Sequence, residues 1–220
     1  MASTSLETLP PEAELALAWS HPAVRERLRT GLQLDRRLAR IVARTTEPML
    51  GQMRLAWWRD ALGRPVADRP RGDAVLDAIG HHFAGHETSL LEMVDAWEIM
   101  VTTPELGQDE AEAFARGRGA FFAHLGSGPG AAEVAPRLAA AGQCWALADA
   151  AAGVSDPAER SVLVTAGLQQ SGAPRRMPRE WRGVGALEAL AQRALRRGGR
   201  PLMDGRGAPL AALRGAILRL

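Results

Sequence analysis

The stretch EPMLGQMRLAWWRDAL, residues 47–62, is the part of the chain that best indicates the fold. Pro48 suits the first turn of a helix because its missing N–H would have no partner there, and Glu47 precedes it at the positive end of the helix dipole. Apolar residues then recur at helical spacing in two adjacent stripes. The stripes contain Leu50, Met53, Trp57 and Ala61, and Leu55, Trp58 and Leu62. The pattern predicts a mostly buried helix over residues 48–63, with both tryptophans used for packing.

The run GQMRLAWWR from Gly51 to Arg59 resembles the GQ-x-RLAWWR helix of bacterial squalene/phytoene synthase-like proteins. The enzymes of this all-α family join two prenyl diphosphates head to head. Weaker resemblance extends over residues 15–168. The same helix is also similar to the branch of the family that contains a mitochondrial complex I assembly factor. The resemblance implies a single-domain helical bundle of the terpenoid (isoprenoid) synthase type, shortened at the C-terminus.

Helical periodicity continues along nearly the whole chain, and no alternating strand pattern separates the turn clusters. The 220 residues are enough for one sizeable core. The sequence therefore predicts an all-α protein, with a helical domain over residues 1–174 and a basic extension of the same domain over residues 175–220. Helices are predicted at about 11–20, 22–44, 48–63, 72–83, 87–103, 108–125, 131–152, 157–170, 180–197 and 207–219.

Composition excludes several classes of protein. Cys144 is the only cysteine, so neither an internal disulfide nor a thiolate zinc cluster can form. No apolar run approaches the roughly 18 residues of a membrane span. The N-terminal residues contain acids and prolines where a secretory signal would be basic and then apolar. These features predict a cytoplasmic protein, with a peripheral position at the inner membrane as the alternative.

The net charge of +2 conceals an asymmetry. Residues 1–174 contain 16 arginines and 22 acids, whereas residues 175–220 contain 11 arginines and 3 acids. The basic segment is interpreted either as a solvated helical surface or as a contact surface for a membrane or an acidic protein. Nucleic acid is not expected, because the segment has a single aromatic residue and no recognised binding motif. The arginines considered for such contacts are Arg175, Arg176, Arg179, Arg182, Arg193, Arg196 and Arg197.

Glycine- and proline-rich stretches interrupt this basic segment at residues 171–178 and 198–209. Such stretches are typical of linkers between elements. They predict that the last two helices are loosely attached to the rest of the bundle.

The resemblance also implies where metal-binding acids should lie. Ionisation of an allylic diphosphate requires Mg²⁺ held by several carboxylates, and active members carry a C-R-R-x-D-D-x-x-D motif on an early helix. The matching string here is LDRRLARIVA. Alignment on Arg36 and Arg37 places Ala39, Arg40 and Ala43 at the three acidic positions. The first metal site is therefore expected to be absent, and Asp35 is interpreted as part of an intrahelical ion pair.

A second acidic motif of the family falls on AGQCWALADAAAGVSD, where Asp149 lies near but not on the acidic position. The central helix LLEMVDAWEIM keeps Asp95, which recurs with Glu92 and Glu98 every three residues. Such steps rotate by about 60° each, so the three acids cannot converge on one ion from a straight helix. No metal or other cofactor is therefore expected.

The main hypothesis is a catalytically degenerate relative with a binding or assembly role near the membrane or in isoprenoid metabolism. The alternative is an active Mg²⁺-dependent head-to-head prenyltransferase acting on prenyl diphosphates. For that enzyme the candidate metal ligands are Asp95, Glu98 and Asp149, and the candidate diphosphate-binding residues are Arg36, Arg37, Arg54 and Arg59. A third hypothesis is a protein that binds a prenyl lipid without converting it. Its predicted pocket contains Trp57, Trp58, Trp97 and Gln143.

Overall fold

The computed structural model of the protein describes residues 6–45, 47–126, 130–170 and 177–217. Within these ranges the chain is helical and contains no strand, so the all-α prediction is confirmed. Three short 3₁₀ helices accompany the α-helices, at Val66–Asp68, Ala120–His124 and Arg179–Trp181. The α-helices are α1 Pro11–Trp19, α2 Pro22–Ala43, α3 Pro48–Gly63, α4 Ala74–His82, α5 Thr88–Thr102, α6 Gln108–Gly119, α7 Ala131–Gly153, α8 Pro157–Gln170, α9 Arg182–Arg196 and α10 Ala208–Ile217.

Local capping chemistry explains where several helices begin. Pro48 is the first residue of α3, as its fixed φ angle favours. Helix α4 begins two residues later than predicted because Asp73 is its N-cap. The Asp73 carboxylate accepts hydrogen bonds from the backbone N–H groups of Val75 at 2.9 Å and Leu76 at 3.1 Å. The start of α3 was therefore predicted correctly, whereas the Asp73 cap, also a local signal, was overlooked in the prediction for α4.

Helix α3 is only half-buried, which corrects the prediction of a mostly buried helix. Its inner stripe is buried and includes Leu55 and Trp58, because α3 packs against α5 and α2 on one side only. In the other stripe Leu50, Met53 and Trp57 face solvent, with Trp57 41% exposed, whereas Ala61 is buried. The exposed apolar residues of α3 are Met49, Leu50, Met53 and Trp57.

The core of the bundle lies around α7, which packs against α6, α8 and α9. Helix α9 also contacts α1, α8 and α10, and most of its apolar residues are fully buried. The prediction that the last two helices are loosely attached is therefore wrong for α9, whereas α10 packs mainly against α9 and buries Ala208 and Ala212. Gly185 and Gly215 allow α9 and α10 to touch, since a Cβ on Gly215 would lie 2.3 Å from the Gly185 carbonyl oxygen. Both glycines lie within predicted helices, and the structure shows them to be points of close helix packing.

Two further predictions concern contact arginines and membrane spans. Arg175 and Arg176, which were considered as contact residues, lie outside the part of the chain that the structure describes. Among the helices within that part, none is long and apolar enough to cross a membrane.

Candidate functional site

A buried ion cluster joins three helices at the centre of the bundle. Arg118, near the C-terminal end of α6, is fully buried. Its Nε and Nη2 atoms donate to the two carboxylate oxygens of Asp35 on α2, at 2.7 and 2.8 Å. Nη2 also donates to the Asp149 carboxylate on α7, and Nη1 donates to the carbonyl oxygen of Ala146 at 3.0 Å. One guanidinium therefore links two acids that lie far apart in the sequence.

Aromatic rings enclose the Arg118 guanidinium. Its central carbon lies 4.8 Å from the ring centroid of Trp97 and 4.5 Å from that of Trp145, with Phe114 at 5.6 Å. These distances are within the range for cation–π attraction, which strengthens when the cation is desolvated. The Trp97 indole N–H also donates to Asp35 at 2.9 Å. The cluster thus combines charge pairing, hydrogen bonding and ring contacts around a single buried cation.

Glycines on both sides of Arg118 allow its helix to approach its neighbours. A Cβ on Gly117 would lie 2.5 Å from the Glu92 carbonyl oxygen of α5. A Cβ on Gly119 would lie 2.6 Å from the backbone nitrogen of Gln143 on α7. Both distances are shorter than side-chain atoms tolerate, so only glycine permits this spacing. The sequence RGRG at residues 116–119 therefore brings the guanidinium between α5 and α7.

Burial and neighbouring charges shift the pKa values of two groups here, Arg118 and Glu12. Burial alone would lower the pKa of Arg118, but the negative charges of Asp35 and Asp149 raise it overall, so the guanidinium stays protonated. Glu12 on α1 is buried beside this group. Burial raises the pKa of Glu12, and repulsion from Asp149 adds to that effect, while its backbone hydrogen bond and the nearby Arg36 oppose it. Glu12 is therefore an acid at the edge of the cluster without a cation hydrogen-bonded to it among the described residues.

The acids at the centre do not fit a Mg²⁺ site. Mg²⁺ requires several oxygen ligands that are not engaged by another cation. Both oxygens of Asp35 accept hydrogen bonds from Arg118, and one oxygen of Asp149 does so as well. Across the described ranges, no three His, Cys, Asp or Glu side chains are arranged to hold a metal ion.

The remaining candidate metal ligands, Asp95 and Glu98, lie on α5 and form ion pairs with Arg59 of α3. Arg59 Nη2 lies 2.5 Å from the nearest oxygen of each acid. The Asp95 side chain is 58% exposed, so this second cluster is largely solvated. Hydrogen bonds from Arg59 to Glu98, and then to Asp95, raise the pKa of the arginine. The structure does not bring Asp95 and Glu98 together with Asp149 as one ligand set.

The predicted diphosphate-binding arginines occupy separate environments. Arg37 is buried and donates to Glu7 at 2.5 Å and to Asp73 at 2.7 Å. Its guanidinium therefore links parts of the fold to each other. Arg54 is exposed and donates to the Thr45 hydroxyl at 3.2 Å. Arg59 binds the acids of α5, as described above. Arg36 lines a surface cleft beside α2 that contains none of the other three, so the four arginines do not form the single anion site that the sequence predicted.

The four residues of the predicted lipid pocket are also dispersed. Trp57 faces solvent and contacts Trp58 edge-to-face at 5.1 Å between ring centroids. Trp58 is packed in the core, whereas Trp97 encloses Arg118. Gln143 lies where α7 meets Gly119. These positions do not line one cavity.

Sequence reasoning missed the residue at the centre of the site. Arg118 was not singled out, and neither was Trp145. The only local signal was an arginine between two glycines within an amphipathic helix, a pattern with several structural explanations. Comparison of the chain with protein-family models, with curated proteins and with solved structures finds no match.

Proposed function

We propose that this protein is a catalytically degenerate squalene/phytoene synthase-like protein with a bundle of the terpenoid synthase type. Its role is binding or assembly rather than prenyl transfer. Neither the family nor the role has support from a matched relative. The proposal depends on the resemblance of residues 51–59 and on the chemistry of the buried centre.

The observation that carries the proposal is the position of Arg118. Asp35 and Asp149 lie on α2 and α7, the two helices to which the resemblance assigns the metal-binding motifs. Each carboxylate binds the same guanidinium. A fixed internal cation there pairs with both acids, and the guanidinium and the indole rings of Trp97 and Trp145 occupy the space beside them. This arrangement supports a scaffold whose stability depends on the cluster.

The alternative function, Mg²⁺-dependent prenyl transfer, would require Asp95, Glu98 and Asp149 to act as ligands. Asp95 and Glu98 are paired with Arg59, and Asp149 is paired with Arg118. A metal ion would have to displace both arginines, and loss of Arg118 would leave Asp35 buried without a cation. These costs favour the degenerate interpretation.

A peripheral membrane contact fits α10 better than the arginines singled out in the sequence. Arg193 and Arg197 bind the carbonyl oxygen of Asp204 and are occupied in holding the turn before α10. Helix α10 instead exposes Leu210, Leu213 and Ile217. Residues 205–217 contain Arg206 and Arg214 and no acid, so the apolar surface is accompanied only by positive charge. Cosedimentation with anionic vesicles tests this contact, and equal binding by a Leu210→Asp variant would refute it.

The catalytic question is tested by incubating the purified chain with farnesyl or geranylgeranyl diphosphate and Mg²⁺. We expect neither a coupled hydrocarbon product nor released pyrophosphate. The matched variant is Asp149→Asn, which removes one candidate ligand and keeps its size. Turnover by the unmodified chain that this variant abolishes would overturn the proposed function.

A further inference from the structure

Helix α3 presents an apolar stripe to solvent, formed by Met49, Leu50, Met53 and Trp57 and called the α3 stripe below. Met49 is 72% exposed and Met53 is 64% exposed. Residues 49, 53 and 57 are four apart, so they follow one side of the helix. The α3 stripe holds four of the ten large apolar side chains that are exposed among the described residues. Apolar exposure of this kind is a patch rather than a scatter of single residues, and patches mark interaction surfaces.

The opposite side of α3 is anchored, so the stripe cannot turn into the core. Leu55, Trp58 and Leu62 are buried where the helix packs against α5 and α2. Arg59 adds a polar anchor through its hydrogen bonds to Asp95 and Glu98 of α5. A rigid helix with one apolar side left in water is covered only by a surface from outside the bundle.

The charges around the α3 stripe indicate what kind of surface covers it. Apart from Arg59, which is paired within the fold, residues 47–64 carry two acids and two arginines, all exposed: Glu47, Arg54, Asp60 and Arg64. The region therefore has no net charge of its own. This differs from α10, where only arginines accompany the exposed apolar residues. An anionic membrane gains little by approaching the α3 stripe, whereas a second neutral surface meets it without repulsion.

The two ends of α3 carry opposite charges that match each other in an antiparallel arrangement. Glu47 is the N-cap of the helix and Arg64 is its C-cap, and neither side chain has an ion pair or hydrogen bond to the described residues. If two copies of α3 lie antiparallel, Glu47 of each copy meets Arg64 of the other. The same register places Met53 beside Trp57 of the other copy, and thioether–aromatic contacts are favourable. The opposed helix dipoles also attract.

We infer that the α3 stripe is the docking surface for a second copy of this chain, with the two α3 helices antiparallel about a two-fold axis. Such an interface is isologous, because the same residues contribute on both sides. One helix from each copy makes a small interface, so the dimer is reversible and forms at micromolar concentrations. A self-association surface goes beyond the proposed function and does not depend on the family or on the absence of turnover.

The first test is sedimentation velocity of the full chain over a series of concentrations. We expect a monomer–dimer equilibrium whose dissociation constant rises at least about tenfold in Met53→Asp, since a charge then lies at the apolar centre of the interface. The matched control is Leu210→Asp on α10, because Leu210 is 60% exposed and has a similar apolar side chain. The control should dimerise like the unmodified chain. Thermal unfolding should be nearly unchanged in both variants, since both side chains face solvent.

The second test reverses the charges at the ends of α3. Glu47→Arg and Arg64→Glu should each weaken dimerisation several-fold at low salt, because each variant places like charges together twice in its own dimer. A mixture of the two single variants should form a heterodimer, since both contacts then join opposite charges. Residues 47 and 64 cannot contact each other within one chain, because a helix of 16 residues is about 24 Å long. Recovery in the mixture therefore reports a contact between copies.

Three results would overturn this dimer. The first is a monomer at every concentration, including the case in which neutral phosphatidylcholine vesicles bind the chain and Met53→Asp abolishes that binding, which would assign the stripe to lipid. The second is a dimer that Met53→Asp and Leu210→Asp leave equally intact. The third is a mixture of Glu47→Arg and Arg64→Glu that associates no better than either variant alone. Prenyl-diphosphate turnover enters none of these measurements, so the proposed function is judged separately.

Discussion

Two clusters in this bundle have the same composition, one arginine and two acids, but differ in their surroundings. Arg118, Asp35 and Asp149 meet at the centre of the protein, where the guanidinium is fully buried. Arg59, Asp95 and Glu98 meet at the surface, where the Asp95 side chain is 58% exposed. Water screens the surface cluster and would solvate any member left alone. Arg118 and Asp35 at the centre are fully buried and have no such solvation, although Asp149 is 22% exposed, so the loss of a partner should cost more there.

The largest effect is expected from Arg118→Met, which removes the buried cation. Asp35 would remain buried without a positive partner, a situation that costs about 3–5 kcal/mol in comparable proteins. The free energy of unfolding, measured by urea denaturation, should fall by that amount. A double variant, Arg118→Met/Asp35→Leu, should recover a large part of the loss because the fully buried acid is then also removed, and the remaining acid, Asp149, is 22% exposed. A loss below about 1 kcal/mol in the single variant would show that water reaches the cluster.

Glu12 sharpens the comparison because it is a buried acid without an arginine hydrogen-bonded to it. Burial raises its pKa, so the folded state holds this proton more tightly than the unfolded state does. Its contribution to stability is therefore greatest in acid and is lost as pH rises through the raised pKa. We expect Glu12→Gln to be more thermostable than the unmodified chain at pH 7, with no difference at about pH 4. Thermal unfolding across this pH range measures the effect, and a difference that grows in acid would contradict it.

The smallest effect is expected from Arg59→Ala. The exposed ion pairs of α3 and α5 are screened, and such pairs contribute about 0–1 kcal/mol. Urea denaturation should therefore reveal a loss below about 1 kcal/mol, with a smaller loss at high salt. A cost similar to that of Arg118→Met would remove the contrast between the two clusters.

The fold was more predictable from the sequence than the site. Helix positions follow from local signals that act over two or three residues: Pro48 predicted the start of α3, whereas the Asp73 cap was overlooked and α4 was predicted two residues too early. The split between α6 and the following 3₁₀ helix was missed. It lies at Gly119, which touches the backbone of α7, and such a tertiary contact cannot be read from local periodicity.

Arg118 was missed for a similar reason, since its partners lie 83 and 31 residues away. Hydrophobic periodicity treats any arginine as a surface residue, and a buried cation is an exception to that rule. Asp35 was noted but assigned to an ion pair within its own helix. Asp149 was noted as a displaced acid, and its pairing with Arg118 requires the packing of α6 against α7.

The most direct test of the buried cluster is whether its acids are available to a divalent cation. Electron paramagnetic resonance of Mn²⁺ titrated into the protein measures the metal that remains unbound. If Arg118 occupies Asp35 and Asp149, we expect the Mn²⁺ signal to match that of buffer alone, and Asp149→Asn to change nothing. Stoichiometric, saturable Mn²⁺ binding that Asp149→Asn abolishes would contradict this interpretation of the protein's centre.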